Sequence, residues 1–267
     1  MTRIVQEAIE RDELRLTVSI SSDLLGLERF AYLQIVVNGD AGHLRDSLVA
    51  MPETTFVADI SGEFSLDAEV RVGPDPHLRD TIEQIRNLPG VTRLRTLTYE
   101  SIEANLYSPL RTGRTGFVVD DADRAIVRHL QRDGRAAFRE LGKSAGISPS
   151  GARLRFERLA RAGAIKVVGI PVRRRRSETP SLGIGAKVQG DLQSASDLIL
   201  SLNPEFLAIA IGEYDLIATI SADTVEELMA QIDSLRDAPD FAVLETWANL
   251  RIVKEQYGEG DQLVVSA

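Results

Sequence analysis

Ser148, Pro149, Ser150, Gly151, Arg153, Leu154, Arg155 and Arg158 all fall within the stretch "SPSGARLRFER". Hydroxyls and guanidinium groups at this density are the donors that hold phosphate oxygens and reach guanine edges in a DNA major groove. Gly151 costs about 1 kcal/mol of helix propensity relative to alanine, and reads either as room for close approach to a phosphate or as a slightly degraded site. Other chemistry is sparse. His43, His77 and His129 are isolated, and the chain has no cysteine to complete a metal set. No Gly-rich phosphate loop, Ser/His/Asp arrangement or paired-carboxylate pocket stands out. The reading is therefore no catalytic residue, no metal and no cofactor.

The elements that must position the first stretch can be read on either side of it. Ser148 is an N-cap and Pro149 a first helical residue, with Ala152, Phe156 and Leu159 as the buried stripe. Upstream, "DDADRAIVRHLQRDG" predicts a helix capped by Asp120, with Asp121 and Asp123 suited to its positive end and Ala125, Ile126 and Leu130 inward. A shorter helix follows in "AAFRELGKSAG", with Phe138, Leu141 and Ala145 inward and a tight turn at Gly146. "AIKVVGIPV" then reads as a strand, the start of a wing. Helix, short helix, turn, capped basic helix and strand make a winged helix-turn-helix, whose third helix enters the major groove. The competing reading is a three-helix subdomain whose arginines are only solvated.

Charge agrees with the first reading. The whole chain carries −9, yet residues 120–176 hold 15 Lys and Arg against 6 Asp and Glu, a local +9. The remainder then carries 16 basic and 34 acidic residues, or −18. A basic module between acidic flanks suits a DNA-binding domain with separate regulatory domains.

The strings "DADRAIVRHLQRDGRAAFRELGKSAGISPS" and "RFERLARAGAIKVVG" resemble the leucine-responsive regulator/AsnC family of transcription factors. They carry its Asp-x-x-Asp-Arg opening, Asp-Gly-Arg bend and Ile-Ser-Pro entry into the recognition helix, with Gly142 where the family usually has alanine. After the Arg173–Arg176 run, which either touches phosphates or solvates a hinge, the pattern becomes strand, helix, strand, strand, helix, strand. That order predicts a ferredoxin-like domain. "GEYDLIATI" and "DFAVLETW" resemble the family's effector-sensing domain, and the resemblance implies a small ligand, commonly an amino acid.

A shift of about 150 residues superimposes the C-terminal half on the N-terminal half, placing "GEYDLIATI" on "GEFSLDAEV". The expected fold is α+β, a winged helix-turn-helix between two ferredoxin-like (βαββαβ) sensing domains. The expected boundaries are 1–26 for the tail of a first recognition helix and its wing, 27–110 for the first sensing domain and 118–172 for the winged helix. A basic linker follows at 173–181 and a second sensing domain at 182–260. The chain thus reads as a tandem regulator whose first helix-turn-helix is cut short.

The two sensing copies differ at the hinge, where Tyr214 and Asp215 replace Phe64 and Ser65. A carboxylate gives an effector's ammonium group a charge-assisted bond, and the phenol adds a polar handle. Gly212, Tyr214, Asp215 and Trp247 are accordingly the candidate effector contacts. Against this, Asp215 caps a turn and Trp247 is core.

The N-terminus lacks a signal-peptide core and no apolar run approaches the length of a membrane span, so the expected location is cytoplasmic. The expected partners are double-stranded DNA, an amino-acid effector and further copies of the chain, because a sheet with helices on one face needs a partner for the other. Two alternatives stand beside this reading. One is an effector-binding or assembly protein that has lost DNA binding. The other is an enzyme resembling siroheme decarboxylases, which would need histidine and arginine converging in the sensing domain, whereas residues 182–267 contain no histidine.

Overall fold

The computed structural model describes residues 3–11, 14–22, 27–73, 75–108, 118–171 and 179–255. The Arg173–Arg176 run lies outside them. The chain folds as two units, one drawn from residues 1–26 and 106–176, the other from 27–105 and 177–256.

The first unit contains α1 (Arg3–Glu10), β1 (Leu14–Ile20), α4 (Asp121–Arg132), α5 (Phe138–Ala145), α6 (Pro149–Arg161) and β6 (Ile165–Pro171). Ile126, Val127 and Leu130 of α4 are buried, as are Leu141 of α5 and Ala152 and Leu159 of α6. Gly146 ends α5 in the left-handed region at φ 66°, which glycine adopts without a Cβ clash. Phe138, expected inward, is instead half out of the core at 36% exposure and meets Phe156 edge-on at 5.8 Å. β1 and β6 form an antiparallel pair from Leu14↔Pro171 to Ile20↔Ile165. β1 also passes the end of α4, where Gly134 N donates to Leu16 O at 3.1 Å and Thr17 Oγ1 to Gln131 O at 3.0 Å. A Cβ at Gly134 would lie 2.7 Å from the Leu16 carbonyl carbon, so only glycine admits the strand.

The second unit holds two βαββαβ repeats. The first is β2 (Arg29–Val37), α2 (Ala41–Ala50), β3 (Thr54–Ile60), β4 (Leu66–Val72), α3 (Asp75–Arg86) and β5 (Val91–Asn105). The second is β7 (Ser181–Val188), α7 (Leu192–Leu200), β8 (Phe206–Ile211), β9 (Leu216–Ser221), α8 (Val225–Arg236) and β10 (Phe241–Glu255). Their eight strands close into one barrel, β10-β3-β4-β2-β5-β8-β9-β7. The long strands make the closure. β5 pairs with β2 up to Thr98 and with β8 from there to Asn105. β10 pairs with β7 up to Ala248 and with β3 from Asn249 onward.

Each repeat packs its helices on the outer side of its sheet. One outer core gathers Leu33, Ile35, Leu44, Leu48, Leu66 and Ile85, and the other Ile184, Ile199, Leu207, Leu216, Leu228 and Ile232. A third core contains no helix residue: Tyr32, Ala58, Ile60, Phe64, Leu97, Ala210, Tyr214, Ile217 and Trp247. This is the barrel interior, where the helix-free faces of the two repeats cover each other. The unpartnered face expected for each sheet is thus closed within the chain.

Candidate nucleic-acid interface and effector site

α6 is held at its start by Ser148, whose Oγ accepts from Gly151 N at 3.1 Å and lies 3.1 Å from Ser150 Oγ. Pro149 sits in the first turn, where its missing N–H costs nothing. α4 begins with a capping box. Asp120 accepts from Asp123 N at 2.9 Å, and the Asp123 carboxylate accepts from Asp120 N at 3.2 Å. Asp123 is fully buried, and two arginines of α6 neutralise it. Arg155 donates to Asp123 at 3.0 Å and to both Asp120 oxygens at 2.7 Å, while Arg158 pairs with the other Asp123 oxygen. The Asp123 backbone N–H, then Arg155, hold the Asp120 carboxyl below its usual range.

Those ion pairs divide the sequence-selected residues. Arg155 and Arg158 clamp α6 to the start of α4, a role that spacing alone did not reveal because Asp123 looked like a dipole residue. Arg153 and Leu154 point outward, 67% and 66% exposed, beside the exposed Ser150. Arg153 is steadied by Glu157 at 2.9 Å, which also accepts from Arg161 at 3.2 Å. Ser150, Gly151, Arg153 and Leu154 therefore make the open face at the N-terminal end of α6, the end that meets bases in a helix-turn-helix. Arg161, one turn beyond Arg158 and highly exposed, was passed over in the sequence.

The four candidate effector residues separate. Asp215 faces the end of β7, where it accepts from Lys187 Nζ at 2.6 Å and Val188 N at 2.9 Å. Gly212 lies against Thr96 and Leu97 at the seam between the repeats. Tyr214 and Trp247 are inside the barrel, stacked at 6.3 Å. The Tyr214 ring lies over Gly185 and the indole over Gly183, where any Cβ would collide with them at 2.3 and 2.2 Å. The Tyr214 hydroxyl joins Arg95 and Glu245, and burial pushes its pKa upward.

The interior holds charge that the sequence reading did not single out. β4 alternates Leu66, Ala68, Val70 and Val72 toward the helices with Asp67, Glu69 and Arg71 on the other face. In an open sheet that face meets water, but here all three are buried because the second repeat covers them. Glu69 pairs with Arg71 at 2.5 Å and accepts from Thr55 at 2.7 Å. Asp67, Gln34 and Arg95 stand side by side on neighbouring strands, and Arg95 donates to Gln34 Oε1 at 2.9 Å. The two histidines of this unit, His43 and His77, lie exposed on the outer helices. Among the described residues no group of three or more His, Cys, Asp or Glu could hold a metal. No helix there is long and apolar enough to cross a membrane.

Residues 119–160 match the AsnC-type helix-turn-helix domain, the segment from the capping box of α4 to the end of α6. The HTH-type transcriptional regulator FL11 of Pyrococcus abyssi is 27% identical over 140 residues, covering 51% of this chain and 93% of the relative. The HTH-type transcriptional regulator LysM of Sulfurisphaera tokodaii is 24% identical over 119 residues, covering 44% of this chain and 85% of the relative. The crystal structure of the siroheme decarboxylase NirDL covers 97% of this chain and 84% of its own, with a TM-score of 0.67 at 13% identity. At that identity the likeness is one of fold, across both repeats and the module between them. The matched domain and the curated relatives agree that the chain carries an AsnC-type helix-turn-helix domain and is similar to HTH-type transcriptional regulators.

Proposed function

We propose that this DNA-binding transcriptional regulator reads duplex DNA in the cytoplasm with Ser150, Gly151, Arg153 and Leu154 of α6, and that a small amino-acid effector tunes its binding. One observation carries the reading: α6 is fixed through Arg155 and Arg158 to a buried Asp123, which leaves its first turn rigid and outward. Rigid placement matters because base readout needs a side chain held in register, while phosphate contacts only position the module. Among the described residues Arg153 and Arg161 pair with Glu157 alone, on the exposed side of α6, which supports their use on DNA. The curated relatives are transcriptional regulators, which sets the enzyme reading aside, and the outward histidines supply nothing to a site inside the barrel.

The experiment is a binding titration on duplexes from upstream of the protein's own gene, with and without pooled amino acids. Arg153→Ala should weaken the best operator by about 1–3 kcal/mol and relax its sequence preference. Arg158→Ala should instead lower the melting temperature of the helix-turn-helix unit, since it exposes the Asp123 charge. Binding that ignores operator sequence, or an Arg153→Ala variant that binds every duplex like the parent, overturns the docking assignment. An operator titration unmoved by any amino acid overturns the effector reading alone.

A further inference from the structure

Asp67 sits at 1% exposure in the barrel interior, and its carboxylate is used on one side only. Oδ2 accepts from the Tyr32 hydroxyl and from Trp247 Nε1 at 3.3 Å. Oδ1 is sealed from solvent and has no hydrogen-bond partner. The buried and partly buried charges nearest it have counter-ions. Glu69 has Arg71, Arg95 has Glu245, and Asp59 has Arg45 and Arg251. Among the described residues Asp67 has none, although an unpaired buried charge is among the most costly features a fold can keep.

The surroundings of Asp67 suit one kind of ligand. Tyr32 and Trp247, both bonded to the carboxylate, tilt toward each other at 6.2 Å, and Trp247 stacks on Tyr214 at 6.3 Å, so three aromatic rings cluster beside one carboxylate. Ring faces carry negative potential and attract cations, and a carboxylate beside them supplies the charge-assisted hydrogen bond that an ammonium donates. A neutral hydroxyl could donate to Oδ1 but would leave its charge uncompensated, and an anionic guest would add to that charge. Asp59 nearby adds further negative potential, and desolvation already raises the Asp67 pKa to about 7, as expected of a carboxylate lacking its cation.

We infer that Asp67, with Tyr32 and Trp247, forms a binding site for the ammonium group of a small organic amine inside the paired barrel. The site is distinct from the Asp215 hinge, whose carboxylate is already committed to Lys187 and Val188. It deepens the effector reading and rests on that reading only for its link to DNA.

Trp247 is the only tryptophan of the chain and touches Asp67, so its fluorescence reports the site without any DNA. The full chain is titrated with n-butylammonium, with n-butanol and butyrate as matched neutral and anionic probes. Saturable change is expected with the ammonium alone, weakened about tenfold or more in Asp67→Asn and unchanged in Asp215→Ala. Equal responses to butanol and butylammonium in the parent protein overturn the inference, whatever the variants do. A response to butylammonium that survives in folded Asp67→Asn also overturns it. Loss of operator binding in the earlier experiment leaves this readout untouched, so the two proposals fail separately.

Discussion

On the helix-free face of the barrel, β4 presents Asp67, Glu69 and Arg71, whereas β9 presents Ile217, Thr219 and Ser221 at the corresponding positions. The N-terminal repeat sets Tyr32 and Gln34 on its first strand, while the C-terminal repeat has Gly183 and Gly185 there and covers them with Trp247 and Tyr214. Near the axis that relates the repeats, Arg95 meets Glu245, its own counterpart 150 residues on, at 3.3 Å. In a symmetric pair a residue near the axis meets its own copy, so neither Arg–Arg nor Glu–Glu would be tolerated there. Joining the repeats in one chain removes that constraint, and each interior has become complementary to the other instead of to itself. Outside, the asymmetry runs the other way. Ile211, Val225, Met229, Val243 and Leu250 are exposed on the C-terminal repeat, where the N-terminal repeat has Ser61, Asp75, Arg79, Arg93 and Glu100.

The largest test of this asymmetry is the pH dependence of Asp67, which has no counterpart in Ile217. Its folded pKa of about 7 lies above an unfolded value of about 3.9, so its contribution favours folding below pH 4 and is lost as pH rises to 7. Burial raises that value and Asp59 adds to it, while the hydrogen bonds from Tyr32 and Trp247 pull it back, with Tyr32 itself held neutral by burial. Asp67→Asn should therefore gain stability relative to the parent between pH 4 and 7, by a few times the roughly 1.4 kcal/mol of one pKa unit at most. Denaturant unfolding at both ends of that range measures it, and a constant difference between the two proteins rejects the assignment.

Next in size is the pair at the axis. Arg95→Glu should cost about 2 kcal/mol by setting two carboxylates together beside Tyr214, and adding Glu245→Arg should recover most of it. Additive losses in the double variant would mean that the contact does not distinguish the repeats. The smallest effect is expected at the hinge. Asp215→Ala should cost about 1 kcal/mol by removing its bonds to Lys187 and Val188, and Ser65→Ala a few tenths at most. Thermal melts of the two variants compare them, and equal shifts would erase the hinge difference.

Local signals carried much of the fold. α4 starts at the Asp120 cap of "DDADRAIVRHLQRDG", and α6 starts at the Ser148–Pro149 cap. Those signals are self-contained, since a cap and a periodic stripe report on their own few residues. The barrel closure is different. The alternation in "LDAEVRV" tells which residues share a face but not what covers that face, so nothing in it marks Asp67 as buried. The second halves of β5 and β10 pair with strands of the other repeat, and nothing nearby in the chain announces such partners. Arg155 and Arg158 were selected for charge, whereas their clamp on Asp123 depends on how α4 and α6 pack. Phe138 fitted a helical stripe, but α5 is too short to bury both its ends.

The pairing of β1 with β6, roughly 150 residues apart, also bears on how the chain is made. Synthesis at about 5–20 residues per second leaves β1 waiting roughly 8–30 s for its partner. The second half of β5 awaits β8 across about 100 residues, and β3 awaits β10 across about 190. Each is a bare strand edge, the template on which nascent chains pair wrongly with one another. Glu100 and Glu103 in β5 and Asp59 in β3 place charge along two of those edges, so residues that steady the finished barrel also guard the half-made one.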